Sequence, residues 1–222
     1  MMYRVNLLSK KNIANDTLSL FLEKPSGFNF NPGQTIDLIV PTLKEGRELS
    51  IASKPTDKHI EVAFRLRDTE YKKYLNSCSI GTELEIEGPF GKLDLGKEEA
   101  IYIAGGIGIA PYMSALRNGI KAKTILFYSN RTLSDTPYLD ELLILEKKEP
   151  LFKLVPTMTR SKFWKGEKGR IDYEKIKKHV EDFEDTMFYI TGSCEMVAEV
   201  AANLTKSGIS YSQITTDCFC GY

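Results

Sequence analysis

The chain has 222 residues, 42% of them hydrophobic and 27% charged, with lysine plus arginine equal to aspartate plus glutamate at 30 each. That length accommodates one large domain or two of ordinary size, and the balanced charge removes the long-range attraction to phosphate polymers that nucleic-acid binding relies on. No apolar run approaches the roughly 18–20 residues of a bilayer span, and the opening MMYRVNLLSKKN alternates like a strand, without the apolar centre of a secretion signal.

The first 96 residues read as short strands separated by turns. The expected strands are Tyr3–Leu8, Thr17–Leu22, Gln34–Val40, Glu48–Ala52, His59–Arg65 and Thr82–Glu87, punctuated by PSGFNFNPG, KEGRE, KPTDK and SIG. One short helix, about Thr69–Asn76, interrupts them. Short strands with this punctuation predict a six-stranded antiparallel β-barrel.

The rhythm changes after GPFGKLDLGKEE. Apolar strands at Ile101–Ala104, Thr124–Tyr128, Phe152–Pro156 and Met187–Thr191 alternate with helices at Pro111–Asn118, Thr136–Lys148, Tyr173–His179 and Cys194–Ser207. This order predicts an α/β domain with a parallel sheet covered on both faces. The expected organisation is therefore two-domain, residues 1–96 a barrel and 97–222 an α/β domain, with a ligand cleft where they abut. The lysine-rich KKYLNSC and EKIKKHVED read as solvated helix faces.

The cysteines Cys78, Cys194, Cys218 and Cys220 lack paired CxxC spacing, and the only histidines are His59 and His179. No metal centre and no disulfide framework are expected, and the setting is read as cytoplasmic and thiol-reduced. YEKIK at Tyr173–Lys177 has the YxxxK spacing of short-chain dehydrogenases but follows a whole barrel, so it is read as chance.

In YIAGGIGIAP, Gly105, Gly106 and Gly108 follow the first strand of the second half and Pro111 opens its helix. Missing Cβ atoms let a ligand approach the backbone, and a helix N-terminus offers unpaired N–H groups to phosphate. The first βα turn of such a sheet is where dinucleotides bind. Ser129 and Arg131 close the second strand and Arg160 follows the third. Arginine rather than an acid at these strand ends favours NADPH over NADH.

A second stretch, RELSIAS, places Arg47 and Ser50 three residues apart. The arginine fork suits a diphosphate; a serine hydroxyl, donor and acceptor at once, suits the N5 edge of a flavin. With NPGQTIDL, GTELEIEGPFG, YIAGGIGIAP, LFYSNR, FYITGSCEMV and the terminal FCGY, in that order over nearly the whole chain, the sequence resembles the ferredoxin–NADP reductase superfamily. It looks most similar to compact prokaryotic NAD(P)H oxidoreductases without an iron–sulfur domain.

The resemblance implies FAD, in preference to FMN, on the barrel. Arg47, Arg65 and Thr69 would hold it, with Thr69 beneath the pyrophosphate and Ser50 at N5. Gly106, Gly108 and Pro111 would line the nicotinamide nucleotide. Gly192, Cys194 and Glu195 match a GPP-type turn near the nicotinamide. Phe219 and Tyr222 match a C-terminal aromatic segment against the flavin, with Tyr222 the movable element; these two and Ser50 are the implied catalytic residues. Two positions depart from the pattern. Leu49 stands where an aromatic residue usually stacks on the flavin, a loss of about 0.5–1.5 kcal/mol. Thr191 stands where relatives often carry cysteine, so Cys194 is not assigned a catalytic role.

The expected activity is transfer of a hydride from NAD(P)H to FAD, then of electrons to an external acceptor. That acceptor is a ferredoxin or other small redox protein, a free flavin, a quinone or a ferric chelate. Two alternatives stand beside it: a non-catalytic flavin-binding electron-transfer subunit or redox sensor, and a nicotinamide dehydrogenase without flavin.

Overall fold

The computed structural model describes residues 1–91, 93, 95–96, 98–180, 182–184 and 186–219. Two compact units emerge: residues 1–95 with 110–119, and residues 96–109 with 120–221.

In the first unit, strands β1 (Met2–Ala14), β2 (Thr17–Glu23), β3 (Thr35–Val40), β4 (Glu45–Ser50), β5 (His59–Arg65) and β6 (Glu83–Phe90) form one antiparallel sheet in the order β4-β3-β6-β1-β2-β5. An antiparallel bridge between Ile51 and Val62 joins its two ends, closing the expected barrel. Alternation explains the core: Val5 and Leu7 of β1, and Leu18, Leu20 and Leu22 of β2, point inward and are buried. Each such side chain contributes about 1.5–3 kcal/mol.

β1 runs well beyond the expected Leu8, because the hairpin continues past the core. Lys11 pairs with Ser19 and Ala14 with Thr17, and Asp16 turns the chain at φ +49°. On the β1 side, residues 9–12 are polar and satisfy ladder hydrogen bonds without full burial, which blurs the alternation. The turn expected at KEGRE falls earlier, at residues 41–44, and Arg47 pairs with Leu38 inside the ladder. Helix α1 (Glu70–Ser77) is capped by Thr69, whose hydroxyl oxygen accepts from the Lys72 N–H. Its Tyr71 hydroxyl donates to the Leu38 carbonyl at 2.6 Å, fixing the helix on β3.

Helix α2 (Ala110–Arg117) groups with this unit. Ser114 Oγ donates to the Ser53 carbonyl at 2.7 Å. Arg117 Nη1 donates to the Ala52 carbonyl at 2.9 Å and to Glu61 Oε2 at 2.6 Å. Ser19 Oγ donates to the other Glu61 oxygen at 2.6 Å.

In the second unit, β7 (Ala100–Gly105), β8 (Thr124–Asn130), β9 (Phe152–Met158), β10 (Glu167–Lys168), β11 (Met187–Gly192) and β12 (Ile214–Cys218) form a parallel sheet ordered β10-β9-β8-β7-β11-β12. The order grows outward from β7 in both directions, so the sheet has a topological switch between β7 and β11. Helices α3 (Leu139–Lys148), α4 (Tyr173–Lys177) and α5 (Cys194–Lys206) belong to this unit. Val197, Val200 and Leu204 of α5 recur at helical spacing and pack in one core with Ile103, Phe127, Val155, Phe188 and Ile190.

Two edge strands escaped the sequence reading. β12 reads ITTDC, polar and half-exposed, and β10 is a single pair of residues. The helix expected from Thr136 starts three residues later, since Pro137 holds Thr136 in an extended conformation. Among the described residues, no helix is long and apolar enough to cross a membrane.

Candidate functional site

Strand β4 carries three of the flavin candidates. Ser50 is buried, and its Oγ has no hydrogen-bond partner. Leaving a buried hydroxyl unpaired costs about 1–3 kcal/mol, so the site fits a group that would pair with it, such as the polar edge of a flavin ring. Leu49 lies in the barrel core. Arg47 stays half-exposed: it ion-pairs with Glu45, donates to the Gly46 carbonyl at 2.9 Å, and lies over the Tyr71 ring at 5.6 Å. Arg65 ends β5.

The helix read as a solvated face is not one. Tyr71 and Lys72 are buried, the latter 5% exposed with Nζ 6.0 Å over the Phe64 ring. Burial first, then repulsion from Arg67 and Arg47, pulls the Lys72 ammonium down to about 8. Lys72, Arg67 and Arg47 thus repel one another in the unit that also carries Thr69, the cap of the same helix. Sequence reading missed Lys72 because nothing in TEYKKYL marks which of its lysines faces the barrel.

In the second unit the three loop glycines differ in what keeps them bare. A Cβ on Gly108 would lie 2.7 Å from the Thr191 carbonyl oxygen, and one on Gly105 would lie 2.3 Å from Met196 Sδ. Their missing side chains admit β11 and α5 rather than a ligand. Gly106 alone faces open space, at φ +55°. The loop is held from two sides, by the Thr191 hydroxyl donating to the Gly108 carbonyl and the Tyr128 hydroxyl donating to the Gly106 carbonyl at 2.9 Å. Burial raises the Tyr128 hydroxyl well above its ordinary range, so it remains a donor. Pro111 sits in the first turn of α2.

Across the switch, Gly192 ends β11 and Ser193 caps α5, its hydroxyl accepting from the Met196 N–H at 3.4 Å. The strand ends and the first turns of α5 enclose a cavity of about 280 Å³, lined by Ser129, Arg131, Thr159, Arg170, Glu195 and Glu199 among others. Arg160 is not in its lining; its backbone N–H donates to the Arg131 carbonyl at 2.9 Å. Arg170 and Glu199 had no sequence signal, since the segment after β10 and the middle of α5 reach the cavity only through the sheet order.

Cys194 Sγ lies 2.7 Å from that of Cys218. Phe219 is half-exposed, with its N–H donating to the Gly192 carbonyl at 2.9 Å. Tyr222 lies outside the described residues.

Residues 102–202 match the oxidoreductase NAD-binding domain family. The chain is similar to the reductase component of propane 2-monooxygenase from Mycolicibacterium goodii, 29% identical over 238 residues, covering 97% of this chain and 67% of that one. It is also similar to the ferredoxin–NAD(P)+ reductase component of the naphthalene 1,2-dioxygenase system of Pseudomonas putida, 26% identical over 213 residues, covering 91% and 63%. The chain thus spans about two thirds of the length of these relatives. In fold it matches a ferredoxin NADP+ reductase from Neisseria gonorrhoeae solved with FAD and NADP, at a TM-score of 0.86 and 21% identity over 98% of both chains. The second unit thus carries the match to the oxidoreductase NAD-binding domain family, and over nearly its whole length the chain shares its fold with a ferredoxin NADP+ reductase.

Proposed function

We propose that the chain is an NAD(P)H-dependent flavoprotein reductase that passes electrons to a separate acceptor. The observation that carries this reading is the buried, unpartnered Ser50 hydroxyl on the RELS strand, beside a cationic cluster in the same unit. Arg47, Lys72 and Thr69 hold the FAD diphosphate, with Arg65 near the same ligand, and Ser50 orients the ring edge. FAD is favoured over FMN because a dinucleotide presents the diphosphate this cluster suits. The chemistry FAD supplies when bound is two-electron acceptance from a nicotinamide and one-electron release to an acceptor.

Gly106 and Pro111 receive the nucleotide backbone, with Gly105 and Gly108 shaping the loop behind them. Gly192, Cys194 and Glu195 form the turn on the nicotinamide side. Ser129 and Arg131 meet the adenosine ribose, and the Arg131 guanidinium is the group that attracts a 2′-phosphate, Arg160 at the neighbouring strand end lying outside the cavity lining. The acceptor is a small redox protein or oxygenase component, a reading supported by relatives named as reductase components of oxygenase systems.

Turnover with ferricyanide tests this reading. Oxidation of NADPH should require added FAD, and Arg131→Ala should raise the KM for NADPH about ten-fold or more while leaving that for NADH nearly unchanged, as expected for loss of a charge-assisted phosphate contact. Equal losses for both nucleotides would remove the role given to Arg131. Turnover without flavin would remove the flavin from the reaction.

A further inference from the structure

Arg131 is not the only guanidinium at the cavity beside the β8 and β9 ends. Arg170 also lines it, with its own backbone anchored from inside: the buried Lys175 Nζ donates to the Arg170 carbonyl at 2.5 Å. Its guanidinium, however, is already engaged. It ion-pairs with Glu199 and lies 3.8 Å from Glu195. These carboxylates stand four residues apart on α5 and so share one helix face.

The cavity thus presents two positive and two negative side chains, and its charge does not by itself favour an anion. A ribose 2′-phosphate carries close to two negative charges at neutral pH. It would be attracted by Arg131, but it meets an Arg170 already paired with the carboxylate of Glu199. A free 2′-hydroxyl suffers no such repulsion and can donate to a carboxylate.

We propose that the Arg170–Glu199 ion pair sets nucleotide choice: paired, it accommodates a 2′-hydroxyl, and a 2′-phosphate binds only by drawing Arg170 away from Glu199. This rests on the reading that the second unit binds a nicotinamide nucleotide by its adenosine end at this cavity. It makes Arg170 and Glu199 specificity residues, and it replaces Arg160 by Arg170 as the second cation of the phosphate site. Differential interaction of this kind, rather than overall affinity, is what separates two ligands.

The test uses the full chain with adenosine 2′-monophosphate and adenosine 5′-monophosphate as probes, measured by calorimetry. Glu199→Gln should tighten the 2′-phosphate compound about five- to ten-fold, and Arg170→Ala should weaken it about ten-fold. Both variants should bind the 5′-phosphate compound within about two-fold of the parent, because a glutamine carbonyl oxygen still accepts from its 2′-hydroxyl, and circular dichroism reports that they are folded. In the Arg170→Ala background the gain from Glu199→Gln should shrink to less than about two-fold, because the carboxylate acts through the arginine. Unchanged 2′-phosphate binding in both single variants, or a gain that persists undiminished without Arg170, overturns the inference while the nucleotide site stands. A parent protein that binds neither probe and neither NADH nor NADPH overturns the site as well.

Discussion

Replacing Arg117 with methionine should lower the free energy of unfolding by about 3–5 kcal/mol, the usual cost of stripping one partner from a buried ion pair. Glu61 is 2% exposed, and its carboxylate divides its oxygens between Arg117 and Ser19, each at 2.6 Å. Methionine preserves much of the arginine stem but strips the ion pair from a carboxylate buried in the barrel wall. It also frees the Ala52 carbonyl that Arg117 satisfies. Adding Glu61→Gln should recover a substantial part of the loss, since the neutral amide is cheaper to bury than the orphaned carboxylate. Urea denaturation of the single and double variants gives the answer. A loss below about 1 kcal/mol for Arg117→Met would mean that this pair behaves as a surface salt bridge. The fastening of α2 to the barrel would then have to come from Ser114 and apolar packing.

The second large effect concerns Lys72 and runs in the opposite direction. Its lowering from 10.5 to about 8 means that the flavin-free protein holds a charged group where it is disfavoured. At about 1.4 kcal/mol per pH unit, this destabilises the fold by about 3 kcal/mol at neutral pH. Because the folded state loses the proton first, the unfolded chain carries more protons between pH 8 and 10.5, and Lys72's cost is relieved as pH rises through that window. Lys72→Met should therefore stabilise the flavin-free protein by up to about 3 kcal/mol at pH 7, with the gap narrowing toward pH 10. The same variant should bind FAD more weakly, about ten-fold or more for a lost charge-assisted contact. Flavin binding to the parent at pH 8 should be accompanied by proton uptake, visible as a buffer-dependent enthalpy in calorimetry. A variant that loses stability at pH 7, or a parent that binds FAD with no proton uptake, would contradict the placement of Lys72 beneath the diphosphate.

These two residues also mark the boundary of what could be read from sequence. Alternation located β5 at His59–Arg65 without error and most other barrel strands within a few residues. The glycine run and apolar strands likewise announced the parallel sheet and its first βα turn, because both signals are local. The Arg117–Glu61 pair joins residues 56 apart in the chain, and no spacing rule connects them. Lys72 and Lys73 are adjacent in sequence, yet one is buried and the other pairs with Asp68 in solvent. Only the seat of α1 on β3 through Tyr71 separates them. The edge strands were silent for a related reason: β12 is polar and half-exposed, so its pairing with β11 rests on backbone hydrogen bonds that leave no hydrophobic trace.

The glycine loop shows how a correct location can carry a partly different reason. All three glycines were expected to be bare for the sake of a nucleotide. Gly105 and Gly108 are bare for Met196 and Thr191, and Gly106 alone is open to a ligand. Internal packing brings β7, β11 and the start of α5 close together, and that closeness sets the shape of the loop.

The most direct test of the account is anaerobic. The chain, loaded with FAD and freed of excess flavin, is mixed with NADPH or NADH, and the absorbance of the oxidised flavin is followed. The account predicts that FAD is retained and that the band bleaches on addition of a nicotinamide nucleotide. Retained flavin that neither nucleotide bleaches, or a protein that takes up no flavin, would contradict it.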